Sequence, residues 1–325
     1  MTMMRRSVVA GGLAMAASGG AQAQQWPSKS IRLICPYAPG ATGDIGARLY
    51  GEELGKALGQ TVVVDNKTGA GGTIATAEIA RSPADGHTIG VMAQGTLVYN
   101  MGLYKTPGYD PFKDLSILSI NFSVANVLIV HPSNPAKTVA DVVAQAKAKN
   151  GAYTFSSGGV GTSHHMSGVL LEMQSATKMT HVPYRATPAG IQAVVNGEVD
   201  TGMFNMPTVV GLIKAGKLKA LAVTSERRQE IFPDLPTMKE SGFKDFVVDT
   251  WLGFCGPAGL PQPVVTRLNA ELNRITELPD IKKKFLEQGM SAWPARTPAQ
   301  ALQYVREDTA FWLPVIKQSG ASADS

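Results

Sequence analysis

Two glycine-rich turns, far apart in the chain, carry the residues best suited to chemistry. The first covers residues 36–44 and reads PYAPGATGD, and the second covers residues 156–165 and reads SSGGVGTSHH. Each follows a short apolar run typical of a β-strand and leads into a segment with helical periodicity. A glycine turn before a helix presents unpaired backbone N–H groups and the positive end of the helix dipole. The two turns therefore indicate an anion site, in which the turns close on one small anion from opposite sides.

Strand-like and helix-like segments alternate along most of the chain, which indicates parallel sheets with crossover helices. Apolar and β-branched runs predict strands at residues 31–35, 61–65, 88–93, 153–157, 180–182, 199–204, 218–224 and 247–255, and two more within 115–130. Periodicity and capping residues predict helices at 44–58, 74–80, 138–149, 188–195, 263–275, 279–288 and 298–318, and from the second turn to about residue 172. The pattern restarts near residue 125 and returns near residue 247, which favours a middle lobe inserted into a first lobe.

The composition is that of an ordinary globular protein of about two domains. The chain has 325 residues, of which 44% are hydrophobic and 17% are charged. The formal net charge of +5 includes Arg5 and Arg6, and it falls to +3 without them. The other basic residues are scattered, apart from Lys282, Lys283 and Lys284, and no run alternates basic and aromatic residues. This pattern argues against nucleic-acid binding.

The N-terminus has the features of a secretory signal peptide. Arg5 and Arg6 form a basic start, residues 8–17 are apolar, and Ala21-Gln22-Ala23 is an A-x-A cleavage site. We therefore expect residues 1–23 to be a signal peptide that is cleaved near Ala23 during export to the periplasm. A membrane anchor is the alternative, although the apolar stretch is too short to span a bilayer. The general secretory and twin-arginine routes both stay open.

The chain contains two cysteines, Cys35 and Cys255. In an exported protein such a pair invites a disulfide. Both, however, lie in apolar runs, where a free cysteine commonly behaves as a small hydrophobic residue. Both interpretations stay open at this point. No spacing of cysteine and histidine suits a metal site, and nothing predicts a cofactor.

Several different short motifs follow one another in a specific order along the chain. They include Trp26-Pro27, Gly69-Ala70-Gly71-Gly72, Tyr109-Asp110-Pro111, His181-Val182-Pro183-Tyr184 and Pro257-Ala258-Gly259, in addition to the two turns. In this order and spacing the chain resembles the substrate-binding proteins of tripartite tricarboxylate transporters, also called Bug proteins. The resemblance implies an α/β, two-lobed type II periplasmic-binding-protein (Venus flytrap) fold, in which each lobe is a mainly parallel sheet with flanking helices. On this fold we expect lobe 1 at residues 24–124 and 248–325, and lobe 2 at residues 125–247.

The resemblance also implies a function without catalysis. Such proteins bind a small di- or tricarboxylate or an aromatic acid in the cleft and deliver it to the large and small membrane subunits of a permease. A monomer is expected. One alternative is a ligand-dependent partner of a periplasmic sensor kinase. Another is a hydrolase, but Gly161-Thr162-Ser163-His164 is not a G-x-S-x-G elbow. Adjacent helical residues point about 100° apart, so Ser163 and His164 are not a natural nucleophile and base.

The family pattern places ligand-binding residues in both turns and at one strand end. The first turn would contribute Tyr37, Pro39, Gly40, Ala41 and Thr42. The second would contribute Ser157, Gly158, Gly161, Thr162 and Ser163, with His165 behind it, and Asp200 and Asn205 would flank the cleft. His165 either touches the ligand or holds the turn by a hydrogen bond, and we expect His164 at the surface. The chain departs from the family pattern at Ala41, where a second glycine is usual, and at Asn205, where an aspartate is frequent.

Other candidates come from their positions in the predicted elements. Gly71 is either a third wall of the site or only part of a turn. Gln94, Thr96 and Asn100 follow the third strand and could supply neutral hydrogen bonds. Tyr184 and Arg185 end a strand at the expected cleft edge, where Arg185 suits a second carboxylate or is a solvated surface residue. Asp200 is unusual in an anion site, and it could instead fix the end of a strand.

Overall fold

The computed structural model describes residues 26–323, and strands and helices alternate along them. The strands are β1 (Ile31–Cys35), β2 (Val62–Asn66), β3 (Thr88–Ala93), β4 (Leu115–Val130), β5 (Thr154–Ser157), β6 (Thr180–Pro183), β7 (Thr201–Asn205), β8 (Lys219–Val223), β9 (Asp249–Pro257) and β10 (Met290–Ala292). The helices are α1 (Thr42–Leu58), α2 (Thr73–Arg81), α3 (Asn100–Leu103), α4 (Val139–Lys149), α5 (Ser163–Ser175), α6 (Thr187–Val195), α7 (Met206–Lys214), α8 (Gln262–Glu277), α9 (Pro279–Gln288) and α10 (Pro298–Ser319). A short 3-10 turn (Ala70–Gly72) precedes α2, and a π-helical turn (Gly95–Tyr99) precedes α3.

The strands form a single sheet that the long strand β4 divides into two halves. The strand order is β2-β1-β3-β9-β4-β7-β5-β6, and β8 and β10 also pair with β4. Residues 115–125 of β4 pair with β9, whereas residues 126–130 pair with β7 and β8. The chain passes back from the second half to the first just before β9, where the Val248 N–H donates to the Thr224 carbonyl at 2.9 Å. On this change of partner we propose the lobe limits given above, and we call the two halves lobe 1 and lobe 2.

The sheet is more mixed than the sequence predicts. Within residues 26–323, β1 pairs in parallel with β2 and β3, and β5 pairs in parallel with β6 and β7. The five pairings made by β4 or β9 are all antiparallel. The mixed α/β class and the two-lobed fold are confirmed, but neither half is mainly parallel. The reason is that β4 carries the chain out of lobe 1 and β9 carries it back in the opposite direction.

Helices cover both faces of the lobe 1 sheet, so its central strands are buried on both sides. On one face the ring of Tyr50 packs 4.9 Å from the ring of Phe254. On the other face the ring of Tyr99 packs 4.9 Å from that of Trp312 on α10. This packing holds the first glycine turn, between β1 and α1, on a rigid base. The three C-terminal helices predicted from the sequence are confirmed as α8, α9 and α10 and belong to this support.

The two cysteines are free and buried, so the disulfide interpretation is wrong. Cys35 lies on β1 and Cys255 on β9, and β3 runs between these strands. Strands two positions apart are separated by about 10 Å, whereas a disulfide needs Cα atoms within about 7 Å. The two side chains also belong to different hydrophobic clusters. Burial raises the pKa of both thiols to about 12, which keeps them protonated.

The predicted signal peptide, residues 1–23, lies outside the described residues. Within residues 26–323, no helix combines the length and the apolar character needed to cross a membrane. The same residues hold no cluster of histidine, cysteine and acidic side chains that could bind a metal ion.

Candidate functional site

The two glycine turns face each other across a cavity of about 500 Å³ between the lobes. This volume falls within the usual range for small-molecule sites, about 300–1,000 Å³. We call it the ligand cavity. Lobe 1 lines it with Pro36, Tyr37, Ala38, Thr68, Gly69, Ala70, Gly71, Gly72, Tyr104 and Ala323. Lobe 2 lines it with Gly158, Gly159, Val160, Thr162, Pro183, Tyr184, Arg185, Ala186 and Thr187.

Four helices begin at this cavity or directly beneath it, namely α1 and α2 from lobe 1 and α5 and α6 from lobe 2. Three of them, α1, α2 and α6, have no side chain that caps the first turn. The first N–H groups of a helix have no partner within the helix, and the helix dipole makes this end positive. The convergence of uncapped helix starts from both lobes therefore favours an anion.

The charge on the cavity wall agrees with this preference. Among the described residues that line the ligand cavity, Arg185 is the one charged side chain. It is exposed and takes part in no hydrogen bond or ion pair that we observe within residues 26–323. Burial raises the pKa of the Tyr37 phenol well above its usual range, so this side chain stays neutral. Among the described wall residues, a negatively charged ligand would meet an arginine and backbone dipoles, and no acidic side chain.

A second, smaller cavity of about 30 Å³ lies beneath the first, between α1 and α5. It has room for about one water molecule, and we call it the inner cavity. Thr42, Ser163, His164, Asn205 and Thr250 contribute polar groups to its wall. The side chain of Asn205 accepts a hydrogen bond from the Thr42 hydroxyl at 3.2 Å and lies 3.1 Å from His164 Nε2. The hydrogen bond between Thr42 and Asn205 joins the two lobes directly.

His164 is 4% exposed, so its predicted surface position is wrong. It lies in the first turn of α5, beside the inner cavity, and its ring packs 4.8 Å from that of Phe204. The Gly158 N–H donates to Nδ1 at 3.3 Å, so the proton of the neutral ring sits on Nε2 and points to Asn205. Burial lowers the pKa of His164 to about 4.

His165 and His181 form a stacked pair behind the second turn, with ring centroids 4.3 Å apart. Burial lowers the pKa of His165 to about 4, and burial together with the neighbouring His165 lowers that of His181 to about 3. Within residues 26–323, His165 Nδ1 has no hydrogen-bond partner, and its side chain lines neither cavity. His165 therefore supports the turn by stacking, rather than by the predicted side-chain hydrogen bond or ligand contact.

Glycines allow the loops of the two lobes to touch. Gly71 has a φ of +59°, and a Cβ placed there would lie 2.6 Å from the carbonyl oxygen of Val160. A Cβ at Gly95 would lie 2.7 Å from the carbonyl oxygen of Gly161, and one at Gly161 would overlap Asn100 Oδ1. Real Cβ atoms almost never approach so closely. The described form is thus a closed one, in which Gly71 belongs to the cavity wall and not only to a turn.

The protein family described as tripartite tricarboxylate transporter family receptor matches residues 47–321 of this chain. The chain belongs to the tripartite tricarboxylate transporter receptor family. One relative of this receptor is protein BugT of Bordetella pertussis, 31% identical over 301 residues that cover 92% of each chain.

Two solved structures that are similar to this chain are described with a bound carboxylate. The structure of R. palustris Rpa4515 with adipate shares 30% identity and a TM-score of 0.88, and the match covers 91% of this chain and 99% of that one. MatC (Rpa3494) from Rhodopseudomonas palustris with bound malate shares 29% identity and a TM-score of 0.84, over 90% of this chain and 100% of that one. The predicted family and fold are confirmed by these matches.

The receptor brings most of the predicted site residues together. Those that line the ligand cavity or the inner cavity are Tyr37, Ala41, Thr42, Gly71, Gly158, Thr162, Ser163, Tyr184, Arg185 and Asn205. Gly161 and Asn100 lie at the contact between the lobes. Thr162 has a defined structural role, because its hydroxyl accepts the His165 N–H at 3.4 Å and caps α5. Direct contact of any of these residues with a ligand stays a prediction.

Three predicted turn residues do not reach either cavity. Pro39 and Gly40 are exposed at the tip of the first turn, where the Gly40 N–H donates to the Asp44 carboxylate at 2.9 Å. The turn therefore points its tip to solvent and its two ends toward the cavities. Ser157 is buried, and its hydroxyl lies 2.7 Å from His181 Nε2, which directs it away from the ligand cavity.

Asp200 lies at the wrong end of its strand for the site. It precedes β7, whereas Asn205 ends that strand, so the two are about 16 Å apart along it. Its carboxylate accepts hydrogen bonds from Lys149 Nζ at 2.5 Å and from the Thr154 N–H at 2.8 Å. Asp200 thus fixes a strand end, which was the alternative interpretation.

Two residues after β3 also turn away from the cavities. The Gln94 amide donates to the Asp308 carboxylate at 2.9 Å, and its carbonyl accepts from the Tyr99 hydroxyl. The Thr96 hydroxyl bonds to the backbone of Ala93. The Gln94 side chain packs toward α10, whereas the methyl group of Thr96 faces Gly72.

Sequence reasoning missed several wall residues, among them Thr68, Tyr104, Ala186, Thr187, Thr250 and Ala323. Ala186 and Thr187 had a usable signal, since Pro188 predicts a helix start and a helix start after a strand is a further anion site. Ala323 follows α10 and is brought back to the cavity by a hydrogen bond from its N–H to the Leu103 carbonyl at 2.9 Å. No local pattern encodes that return.

Proposed function

We propose that this receptor binds a small carboxylate in the ligand cavity and delivers it to a membrane permease of the tripartite tricarboxylate type. The observation that carries the proposal is the convergence of helix starts from both lobes on a cavity where Arg185 is the one charged residue among the described wall residues. The adipate and malate bound by similar receptors support the same ligand class. The predicted signal peptide supports a periplasmic location.

Binding of this kind needs no catalytic group. Backbone N–H groups from both lobes hold one carboxylate, and the ligand makes its full set of contacts only when the lobes are closed. Ser163 and His164 do not act together as nucleophile and base, since the His164 ring bonds to Asn205 and Gly158 instead. The receptor thus captures its ligand unchanged and hands it to the permease.

Arg185 gives the cavity a second anchor point. Its guanidinium is free to pair with a carboxylate in a bidentate geometry, and it stands on the lobe 2 rim next to Tyr184. A linear dicarboxylate, with one end at the helix starts and the other at Arg185, fits this arrangement. A monocarboxylate uses only the first of these contacts.

The test is a thermal-shift and calorimetry screen of the exported protein against mono-, di- and tricarboxylates. A ligand at 100 times its Kd adds about 2.7 kcal/mol to the free energy of unfolding. Arg185→Gln should weaken binding of a dicarboxylate about tenfold or more and leave a monocarboxylate unaffected. Arg227→Gln is the matched control, because Arg227 is also an exposed arginine of lobe 2 but lies outside the ligand cavity. Absence of any carboxylate hit would contradict the proposed ligand class.

A further inference from the structure

A chain of hydrogen bonds runs beneath the ligand cavity from lobe 1 to the second glycine turn. The Thr42 hydroxyl donates to Asn205 Oδ1 at 3.2 Å, and His164 Nε2 lies 3.1 Å from the same oxygen. His164 Nδ1 then accepts from the Gly158 N–H at 3.3 Å. The three side chains are all buried, with exposures of 4% for Thr42, 7% for Asn205 and 4% for His164.

Each member of this chain has a single consistent orientation. A backbone N–H can only donate, so the Gly158 contact fixes the His164 proton on Nε2. The Asn205 amide nitrogen donates to Asn126 Oδ1 at 2.6 Å, so Asn205 Oδ1 must face Thr42 and His164. The Asn126 amide nitrogen donates in turn to the Ser167 hydroxyl at 2.8 Å. An aspartate at position 205 could not donate to Asn126, and it would place a negative charge beneath an anion site.

The three hydrogen-bonded side chains lie outside the cavity that would hold the ligand. Thr42, His164 and Asn205 line the inner cavity and not the ligand cavity, whereas Gly158 lines the ligand cavity. Thr42 begins α1 in lobe 1, and Asn205 ends β7 in lobe 2. Their hydrogen bond therefore forms only when the lobes are closed.

We infer that Thr42, Asn205 and His164 are positioning residues that couple closure of the lobes to the ligand-binding conformation of the second glycine turn. Closure supplies the Thr42 donor, which holds the Asn205 amide, and that amide holds the His164 ring. The ring in turn fixes the Gly158 N–H. The inference rests on the proposed function for the nature of its ligand, while closure itself can be measured without one.

The experiment compares Thr42→Val, which removes the hydroxyl at nearly constant volume, with Thr42→Ser, which retains it. Small-angle X-ray scattering of the ligand-free protein reports closure, and calorimetry with adipate as probe reports affinity. We expect Thr42→Val to increase the radius of gyration and to raise the Kd about tenfold, the effect of one lost buried hydrogen bond. Thr42→Ser should restore both values.

Two results would overturn the inference. One is a radius of gyration and a Kd that are the same for Thr42→Val and Thr42→Ser. The other is a lower melting temperature for Thr42→Val with an unchanged radius, which marks a merely structural role. A cycle with Asn205→Leu gives a second check, because Thr42→Val should have no further effect once its partner is absent. If the wild-type protein binds no carboxylate, the proposed function fails, and the radius comparison still decides the inference.

Discussion

Gly161 offers the sharpest test of closure, because it combines a left-handed backbone with a contact between the lobes. Its φ is +82°, and a Cβ at this position would overlap Asn100 Oδ1. Asn100 cannot easily move aside, since it is fully buried and its amide nitrogen donates to the Gly71 carbonyl at 3.0 Å. Gly161→Ala should therefore hold the lobes apart.

The expected size of the effect has two parts. An alanine in the left-handed region costs roughly 1–2 kcal/mol, and this cost falls on the folded protein whether the lobes are open or closed. The overlap with Asn100 adds an overpacking cost of about 1–3 kcal/mol, which falls on the closed form alone. Since the ligand binds the closed form, the second part raises the Kd by roughly five- to 150-fold.

Gly40→Ala is the matched control for this experiment. Gly40 has a nearly equal φ of +79°, but a Cβ there would meet no atom within 4 Å. Both variants should lower the melting temperature by a few degrees, about 2–4 °C for each kcal/mol. Only Gly161→Ala should weaken binding in calorimetry with a dicarboxylate. Equal affinities for the two variants would refute the argument that this contact governs closure.

Three further predictions concern Asp200, the two cysteines and three histidines. Asp200→Asn should lower the free energy of unfolding by about 1 kcal/mol and leave the ligand Kd unchanged, and a weaker Kd in calorimetry would return Asp200 to the site. A thiol reagent should detect Cys35 and Cys255 only after unfolding, and a reductant should leave the melting temperature unchanged; a shift on reduction would contradict the free-thiol assignment. His164 and His165 are buried and His181 is half-buried, and all three have pKa values below that of an unfolded histidine, about 6.5. The unfolded chain therefore binds protons first, and stability falls as the pH drops from about 6.5 toward 4. Urea unfolding at pH 7 and pH 5 measures this loss, and equal stabilities at the two values would contradict it.

The sequence was sufficient for features that depend on neighbouring residues. The turn before α1 and the turn before α5 were predicted because glycine, strand and helix signals follow one another within about ten residues. The capping boxes that begin α4 and α10, at Thr138 and Thr297, are likewise local patterns. Local signals of this kind indicate which segments could form a backbone anion site. The two glycine turns that they indicated both line the cavities.

The direction of individual side chains was not predictable in the same way. Gln94 and Thr96 follow a strand that ends near the site, but Gln94 bonds to Asp308 on α10 and the Thr96 hydroxyl bonds to the backbone of Ala93. His164 was predicted at the surface, because nothing in its own segment indicates that Phe204 and Asn205 pack against its ring. These outcomes depend on contacts between residues far apart in sequence, which periodicity and propensity do not encode.

The distribution of charge explains how one fold can serve several ligands. We attribute the proposed preference for an anion to backbone N–H groups at helix starts, which remain whatever side chains line the wall. Among the described residues, the large side chains that line the ligand cavity belong to Tyr37, Tyr104, Tyr184 and Arg185. A change at Arg185 should therefore alter which carboxylate is bound and leave carboxylate binding intact. A change at Gly161 should instead raise the Kd of every ligand to a similar extent.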